Sequence, residues 1–196
     1  MRETQRQSPS VKATQMAVCY VAVGSNMDPE RNIPAALEEL ACLVRVAGIS
    51  TFYRTRALGP PDQPDYLNGV VRIETDLPPR EIKFGVLRAI EQKLGRVRTG
   101  DKYAARTIDL DLILYGDLVL SSADLTLPDP QIPRRAFVGV PLAELEPEGT
   151  LPDTGRRFAE LFSTEGKEAL IPQEAFTSTL RRRVLSLHGN TRKDGC

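Results

Sequence analysis

The chain has no tryptophan, one histidine, three cysteines and no excess of either charge, with 26 Lys and Arg against 26 Asp and Glu. Each shortage removes a class of function. The lone His188 lies in a polar C-terminal stretch, which excludes a His-based zinc site and a Ser-His triad. Cys19, Cys42 and Cys196 form no C-x-x-C pair and no metal-ligand spacing, so a reduced, cytoplasmic protein is expected. Zero net charge argues against attachment to nucleic acid or anionic membrane by bulk electrostatics. The longest apolar run, Met16 to Val23, is far short of the ~20 residues of a spanning helix. Residues 1–15 are polar and lack the apolar stretch of a signal peptide; Arg2 and Arg6 hint at a transit peptide, but Glu3 and the shortness speak against it.

What is present is globular. A chain of 196 residues, 41% hydrophobic and 27% charged, is one domain with tails. Residues 1–15 read as a flexible N-terminal tail, 16–165 as the folded domain and 166–196 as a basic extension, disordered at its end. Residues 181–196 hold Arg181, Arg182, Arg183, Arg192 and Lys193 against Asp194, the composition of a floppy, solvated end.

Within the domain, Ala17 to Val23 is a β-rich apolar strand ending at Gly24-Ser25-Asn26. Ile33, Ala36, Leu37, Leu40 and Val44 form the stripe of a helix that begins at Asp28-Pro29 or at Asn32. Ile49 to Arg54 is a second strand, and Tyr66 to Thr75 a third, alternating at its end. A second helix opens at Pro79, carries Ile82, Val86, Ile90 and Leu94, and meets its C-terminal glycine at Gly95. Ile108 to Tyr115 is the fourth strand, and Leu118 to Leu127 an edge hairpin. The order β-α-β-β-α-β predicts a ferredoxin-like α+β sandwich with a C-terminal hairpin and helical extension.

Two features of this chain suggest chemistry together. In Thr107-Ile-Asp-Leu-Asp-Leu-Ile-Leu114 a strand puts Ile108, Leu110, Leu112 and Leu114 on one face and Asp109 and Asp111 on the other. A solvent-facing strand can carry such a pair without function, but Asp is a poor strand former. Mg²⁺ favours carboxylate oxygens completed by substrate phosphates. Upstream, Arg88, Lys93, Arg96, Arg98, Lys102 and Arg106 outnumber Glu91 and Asp101. Alone this is a solvated loop; beside the carboxylates it supplies the cations of phosphoryl transfer, and Gly100 would let it close as a lid.

Gly24 permits a ligand to approach the backbone, although a plain turn is the plainer reading of Gly24-Ser25-Asn26 alone. Tyr66 and Asn68 share a strand face, an aromatic plate beside an amide that both donates and accepts. They suit a flat heterocycle with an amide-like edge; core packing is the plainer reading of Tyr66 alone.

The stretches YVAVGSNMDPERN, TFYRTRALGPPDQPDYLNGVV, GRVR, RTIDLDLILYGD and LTLPDPQIPRRAFVGVPLAEL run in order over roughly residues 17–150. In these the chain resembles the 6-hydroxymethyl-7,8-dihydropterin pyrophosphokinases of folate biosynthesis. The resemblance implies a ferredoxin-like fold and transfer of pyrophosphate from ATP to the pterin hydroxymethyl oxygen, releasing AMP. It places two Mg²⁺ ions on Asp109 and Asp111. Arg96, Arg98 and Arg106 fall on the phosphates, as catalytic and ATP-binding residues, with Glu91, Thr126 and Arg135 also in the nucleotide site. Thr55, Leu58, Tyr66, Asn68 and Phe137 fall around the pterin, and no dedicated general base is evident. A monomer is expected, with these two small molecules as its partners and neither nucleic acid nor membrane.

The chain departs from the family pattern at four places. Asp129 stands where a histidine usually follows Leu-Pro, and should repel phosphate unless it turns away or meets a cation. Tyr103-Ala-Ala-Arg106 replaces Trp-Gly-Pro-Arg; Lys102 replaces an arginine and Arg88 a glutamine. These departures motivate one rival, a degenerate relative that binds pterin or nucleotide without turnover. The other rival, an RNA-recognition module, lacks its aromatic motif in Tyr66-Leu-Asn-Gly-Val-Val-Arg-Ile73.

Overall fold

The computed structural model describes residues 16–57, 62–97, 104–162 and 169–188. The chain runs β1 (Ala17–Ser25), α1 (Pro29–Leu43), β2 (Arg45–Ile49), β3 (Tyr53–Thr55) and β4 (Tyr66–Thr75). A π-helical segment (Glu81–Leu87) then continues into α2 (Arg88–Lys93), followed by β5 (Asp109–Tyr115). The hairpin β6 (Leu120–Ser121) and β7 (Thr126–Leu127), α3 (Ala136–Leu145), β8 (Ile171–Pro172) and α4 (Glu174–Leu185) complete it. The main sheet has the order β5-β1-β4-β3-β8, with β2 also paired to β4, and every pairing is antiparallel. This is the expected α+β order with the second strand in two pieces.

Period-two patterning sorts the sheet into two faces. Cys19, Val21 and Val23 of β1, Leu67, Val71 and Ile73 of β4 and Leu110 and Leu112 of β5 pack with Ile33, Leu37 and Leu40 of α1 and with Ile82, Leu87 and Ile90. On the opposite face Tyr20, Val70 and Ile113 pack with Val138 and Leu142 of α3 and with Leu151, Phe158 and Leu161. The molecule is therefore helices, sheet and helix in three layers.

Several expectations shift in position. The second strand, expected over Ile49–Arg54, breaks between Ile49 and Tyr53. There the Ser50 hydroxyl accepts the Val70 N–H at 2.9 Å, while the Ser50 N–H donates to the Val70 carbonyl at 3.0 Å. Phe52 then dives beneath Gly69, where a Cβ would lie 2.8 Å from its ring, and meets Phe176 edge-on at 5.6 Å. Truncating Phe52 to alanine is worth about 3–5 kcal/mol of stability. Leu114, expected beside Leu112, joins the other core with Ile113, because the β1–β5 register shifts between Tyr20 and Val21. The hairpin forms its own two-stranded sheet rather than an edge of the main one.

The basic C-terminal segment, read as floppy from residue 181, is helical to Leu185 and continues as a 3₁₀ turn over Ser186–His188. Leu180 and Val184 are buried, the Thr177 hydroxyl accepts the Phe52 N–H at 2.9 Å, and Arg181 Nε donates to the Ile49 carbonyl at 2.8 Å. Arginines on an outer face disguised this amphipathic stripe. Cys19 is a buried free thiol, and Cys196 lies outside the described residues. Among the described residues no helix is long and apolar enough to cross a membrane.

Candidate active site

At one end of the sheet the face beneath α3 carries small and polar residues, and a cavity of about 410 Å³ opens there. The ladder explains the place. Gly24 of β1 pairs with Asn68 of β4 on one side and with Asp109 of β5 on the other; Ala22 likewise pairs with Val70 and Asp111. Two residues with almost no side chain thus form a floor between an amide and two carboxylates.

Asn68 is buried, and its Nδ2 donates to the Thr55 hydroxyl at 2.8 Å. A Cβ on Gly24 would sit 2.6 Å from Asn68 Oδ1 and 3.8 Å from the Tyr66 ring, so only glycine leaves the amide this close to β1. Tyr66 from β4 and Phe137 from the first turn of α3 also line the cavity. On this wall Asn68, Tyr66 and Phe137 put an oriented amide and two aromatic rings into the cavity, none of the three charged, and the exposed Arg56 lines it next to Thr55.

The other wall is charged. Asp109, Asp111, Arg106 and Arg135 line it, the last at the extended residue preceding α3. Arg96 and Arg106 each put one guanidinium nitrogen on a different oxygen of Asp109. Arg96 also pairs with Glu91, whose Oε1 accepts the Leu110 N–H at 2.9 Å between the two aspartates. Asp111 forms no ion pair among the described residues. Burial, then the carboxylates of Asp109, Asp129 and Glu91, push its carboxyl up to about 7, against a pull from Arg96. Carboxyl pKa values raised in this way mark sites suited to a cation or a proton.

Eight residues named from the sequence therefore meet in one cavity: Thr55, Tyr66, Asn68, Arg106, Asp109, Asp111, Arg135 and Phe137. Glu91 and Arg96 do not line it; they stand behind Asp109, where Arg96 keeps 9% of its side chain exposed and Glu91 3%. Thr126 is exposed on β7 and does not line the cavity either. Leu58, Arg98, Gly100, Lys102 and Tyr103 lie outside the described residues.

Asp129, the departure from histidine, does line the cavity. Its Oδ1 accepts the Gln131 N–H at 2.7 Å; burial raises its pKa above the usual carboxylate value, against a lowering by that bond and Lys83. It has turned partly onto the backbone without leaving the site. Ala22, Arg56 and Gln131 also line the cavity and were missed. The alternation of β1 past Gly24 was the available signal for Ala22.

The cleft sets an amide and aromatic rings against carboxylates and arginines, groups with the chemistry to meet a flat heterocycle and a polyanion. The model of the 7,8-dihydro-6-hydroxymethylpterin-pyrophosphokinase family matches residues 20–147, and the chain belongs to this family. It is 43% identical to the 2-amino-4-hydroxy-6-hydroxymethyldihydropteridine pyrophosphokinase of Synechocystis sp., over 84% of this chain and 85% of that one. The proteins of the same name from Pseudomonas aeruginosa and Haemophilus influenzae are 41% and 39% identical. These matches cover 77% and 71% of this chain, and 95% and 88% of theirs.

Proposed function

We propose that the protein transfers pyrophosphate from ATP to 6-hydroxymethyl-7,8-dihydropterin, giving AMP and the pterin diphosphate, in folate biosynthesis. The observation that carries this reading is the divided cavity, in which Asn68 and the aromatics lie across Gly24 and Ala22 from Asp109 and Asp111.

The pterin ring lies between Tyr66 and Phe137, its amide-like edge on Asn68, with Thr55 and the backbone around Leu58 completing the contact. Thr55 already holds one N–H of Asn68, so the amide is oriented before the ligand arrives. Arg106 and Arg135 meet the ATP phosphates, joined by Arg98; Glu91 and Thr126 are assigned to the nucleotide side by the resemblance. Arg96 acts through Asp109, which it grips from behind. The hydroxymethyl oxygen attacks the β-phosphorus, the bond from that phosphorus to the oxygen bridging to the α-phosphate breaks, and AMP leaves with that oxygen. Water takes up the proton of the primary alcohol.

The donor set fits Mg²⁺: two carboxylates on one strand face, one of them unpaired among the described residues, with phosphates to complete the shell. Asp109 and Asp111 are the residues to hold it, as two ions. When bound, the metal neutralises charge on the phosphate oxygens. We take the enzyme as a cytoplasmic monomer, and sedimentation of the purified protein at the mass of two chains would refute the monomer.

The test is product analysis with purified protein, MgATP and the pterin. Pterin-dependent AMP without ADP is expected. ADP in its place, or no nucleotide product from folded protein, refutes the reading.

A further inference from the structure

The turn Ser25-Asn26 has no part in the chemistry above, yet both residues are polar and buried, at 0% and 2% exposure. Asn26 uses both ends of its amide. Nδ2 donates to the Pro64 carbonyl at 3.2 Å, and Oδ1 accepts the Arg106 N–H at 2.7 Å. The Asn26 N–H donates back to the Arg106 carbonyl at 3.2 Å. The amide has one workable orientation, because a carbonyl only accepts and a backbone N–H only donates. The Ser25 hydroxyl lies 2.6 Å from the Thr107 carbonyl and 3.1 Å from that of Met27, with one proton to give.

The location of these bonds matters more than their number. β1 ends at Ser25, β4 begins at Tyr66 and β5 begins at Asp109, so Asn26, Pro64 and Arg106 all lie just beyond the ladder. There the ladder has ended, and the Asn26 side chain ties all three segments together, with its own N–H and the Ser25 hydroxyl adding bonds to the Arg106–Thr107 segment. Pro64 is the stem of the wall that carries Tyr66 and Asn68. Arg106 and Thr107 are the stem of the wall that carries Asp109.

We propose that Asn26 is a positioning residue that sets the heterocycle wall at its working distance from the phosphate wall, and that Ser25 positions the phosphate wall alone. The proposal rests on the division of the cavity given under the proposed function. A group transfer in which oxygen must meet phosphorus in line is sensitive to displacements of an ångström, so the spacing of the walls is a catalytic variable.

The test uses the full chain and its Asn26→Ala, Asn26→Asp and Ser25→Ala variants. Calorimetry measures binding of 6-hydroxymethyl-7,8-dihydropterin and, separately, of magnesium α,β-methylene-ATP; melting reports folding. Asn26→Ala is expected to weaken both ligands, each by about tenfold, one hydrogen bond's worth. Ser25→Ala is expected to weaken the nucleotide analogue by a similar factor and leave the pterin within about twofold of wild type. Asn26→Asp keeps an acceptor for the Arg106 N–H and loses the donor to Pro64, so it reproduces the pterin defect even if the alanine variant fails to fold. A general loosening of the fold would move both ligands alike in Ser25→Ala, and that pattern overturns the proposal. Unchanged pterin binding in both Asn26 variants, with wild type binding both ligands, overturns it alone. Wild type that binds neither ligand removes the reading of the cavity and the proposal with it.

Discussion

The two walls of the cavity are finished to different degrees. The heterocycle wall is already assembled: Asn68 is held by Thr55, and Gly24 leaves it room. The phosphate wall holds its charges by pairing them with one another. Arg96 and Arg106 occupy both oxygens of Asp109, while Asp111 is raised to about 7 by burial and three carboxylates. A flat neutral ligand therefore enters a site that needs little rearrangement. A polyanion with its counter-ion must replace contacts the protein makes with itself. On the proposed reading, the pterin side is ready for its ligand, and the phosphate side is rebuilt around the nucleotide and its counter-ion.

The sharpest way to break this contrast is to remove each aspartate in turn. Asp109→Ala and Asp111→Asn are both expected to lower Mg²⁺-dependent turnover by about a thousandfold or more. Their stabilities should move in opposite directions. Without Asp109, the buried Arg96 keeps Glu91 as its other recorded ion-pair partner, and about 3 kcal/mol of stability is lost. Asp111 costs stability when ionised, because its folded carboxyl holds its proton up to about 7 and the unfolded one releases it near 3.8. In chelator, wild-type stability attributable to this group falls as pH rises from about 4 to about 7, and stays low above. Asp111→Asn should then melt above wild type at pH 8, the difference closing toward pH 4. Equal melting shifts for both variants, or retained turnover in either, would sink the assignment.

The heterocycle wall gives the next largest effects. Asn68→Ala is expected to raise the pterin KM by roughly thirtyfold and the ATP KM by less than about twofold, as read from initial rates with each substrate varied. Gly24→Ala should act through the same amide, since its new Cβ would sit 2.6 Å from Asn68 Oδ1. A pterin KM raised by about tenfold is expected there, with little further loss when Asn68→Ala is added, because both changes disturb one contact. Full additivity of the pair would separate Gly24 from the amide.

Most of this was legible along the chain because strands with one buried face write their faces in alternation. Alternation set Asp109 with Asp111 and Tyr66 with Asn68 on shared strand faces, and the resemblance gave these faces their ligands. What alternation cannot show is depth. Glu91 and Arg96 were assigned to the nucleotide by the resemblance, and only packing reveals them behind Asp109. Leu114 broke the pattern because one register shift against β1 turned it over. The C-terminal helix was hidden by its arginines, since charged heads on long stems cover a helix whose Leu180 and Val184 are buried. Asn26 was visible only as part of a turn; a residue that binds two other segments has no signature in its own neighbourhood.

The smallest expected effect tests Asp129, read from the sequence as a departure from the family pattern. Asp129 lines the phosphate wall, and its charge repels an incoming polyanion. Asp129→Asn keeps an oxygen to accept the Gln131 N–H, so the turn it supports should survive. Removing the charge also relieves a group that burial disfavours in its ionised form. The ATP KM is expected to fall by about threefold while the pterin KM stays put, and the gain should shrink as salt screens the repulsion. A rise in the ATP KM would reverse the argument. Asp129 would then help to hold what the nucleotide brings with it, as a third working carboxylate beside Asp109 and Asp111.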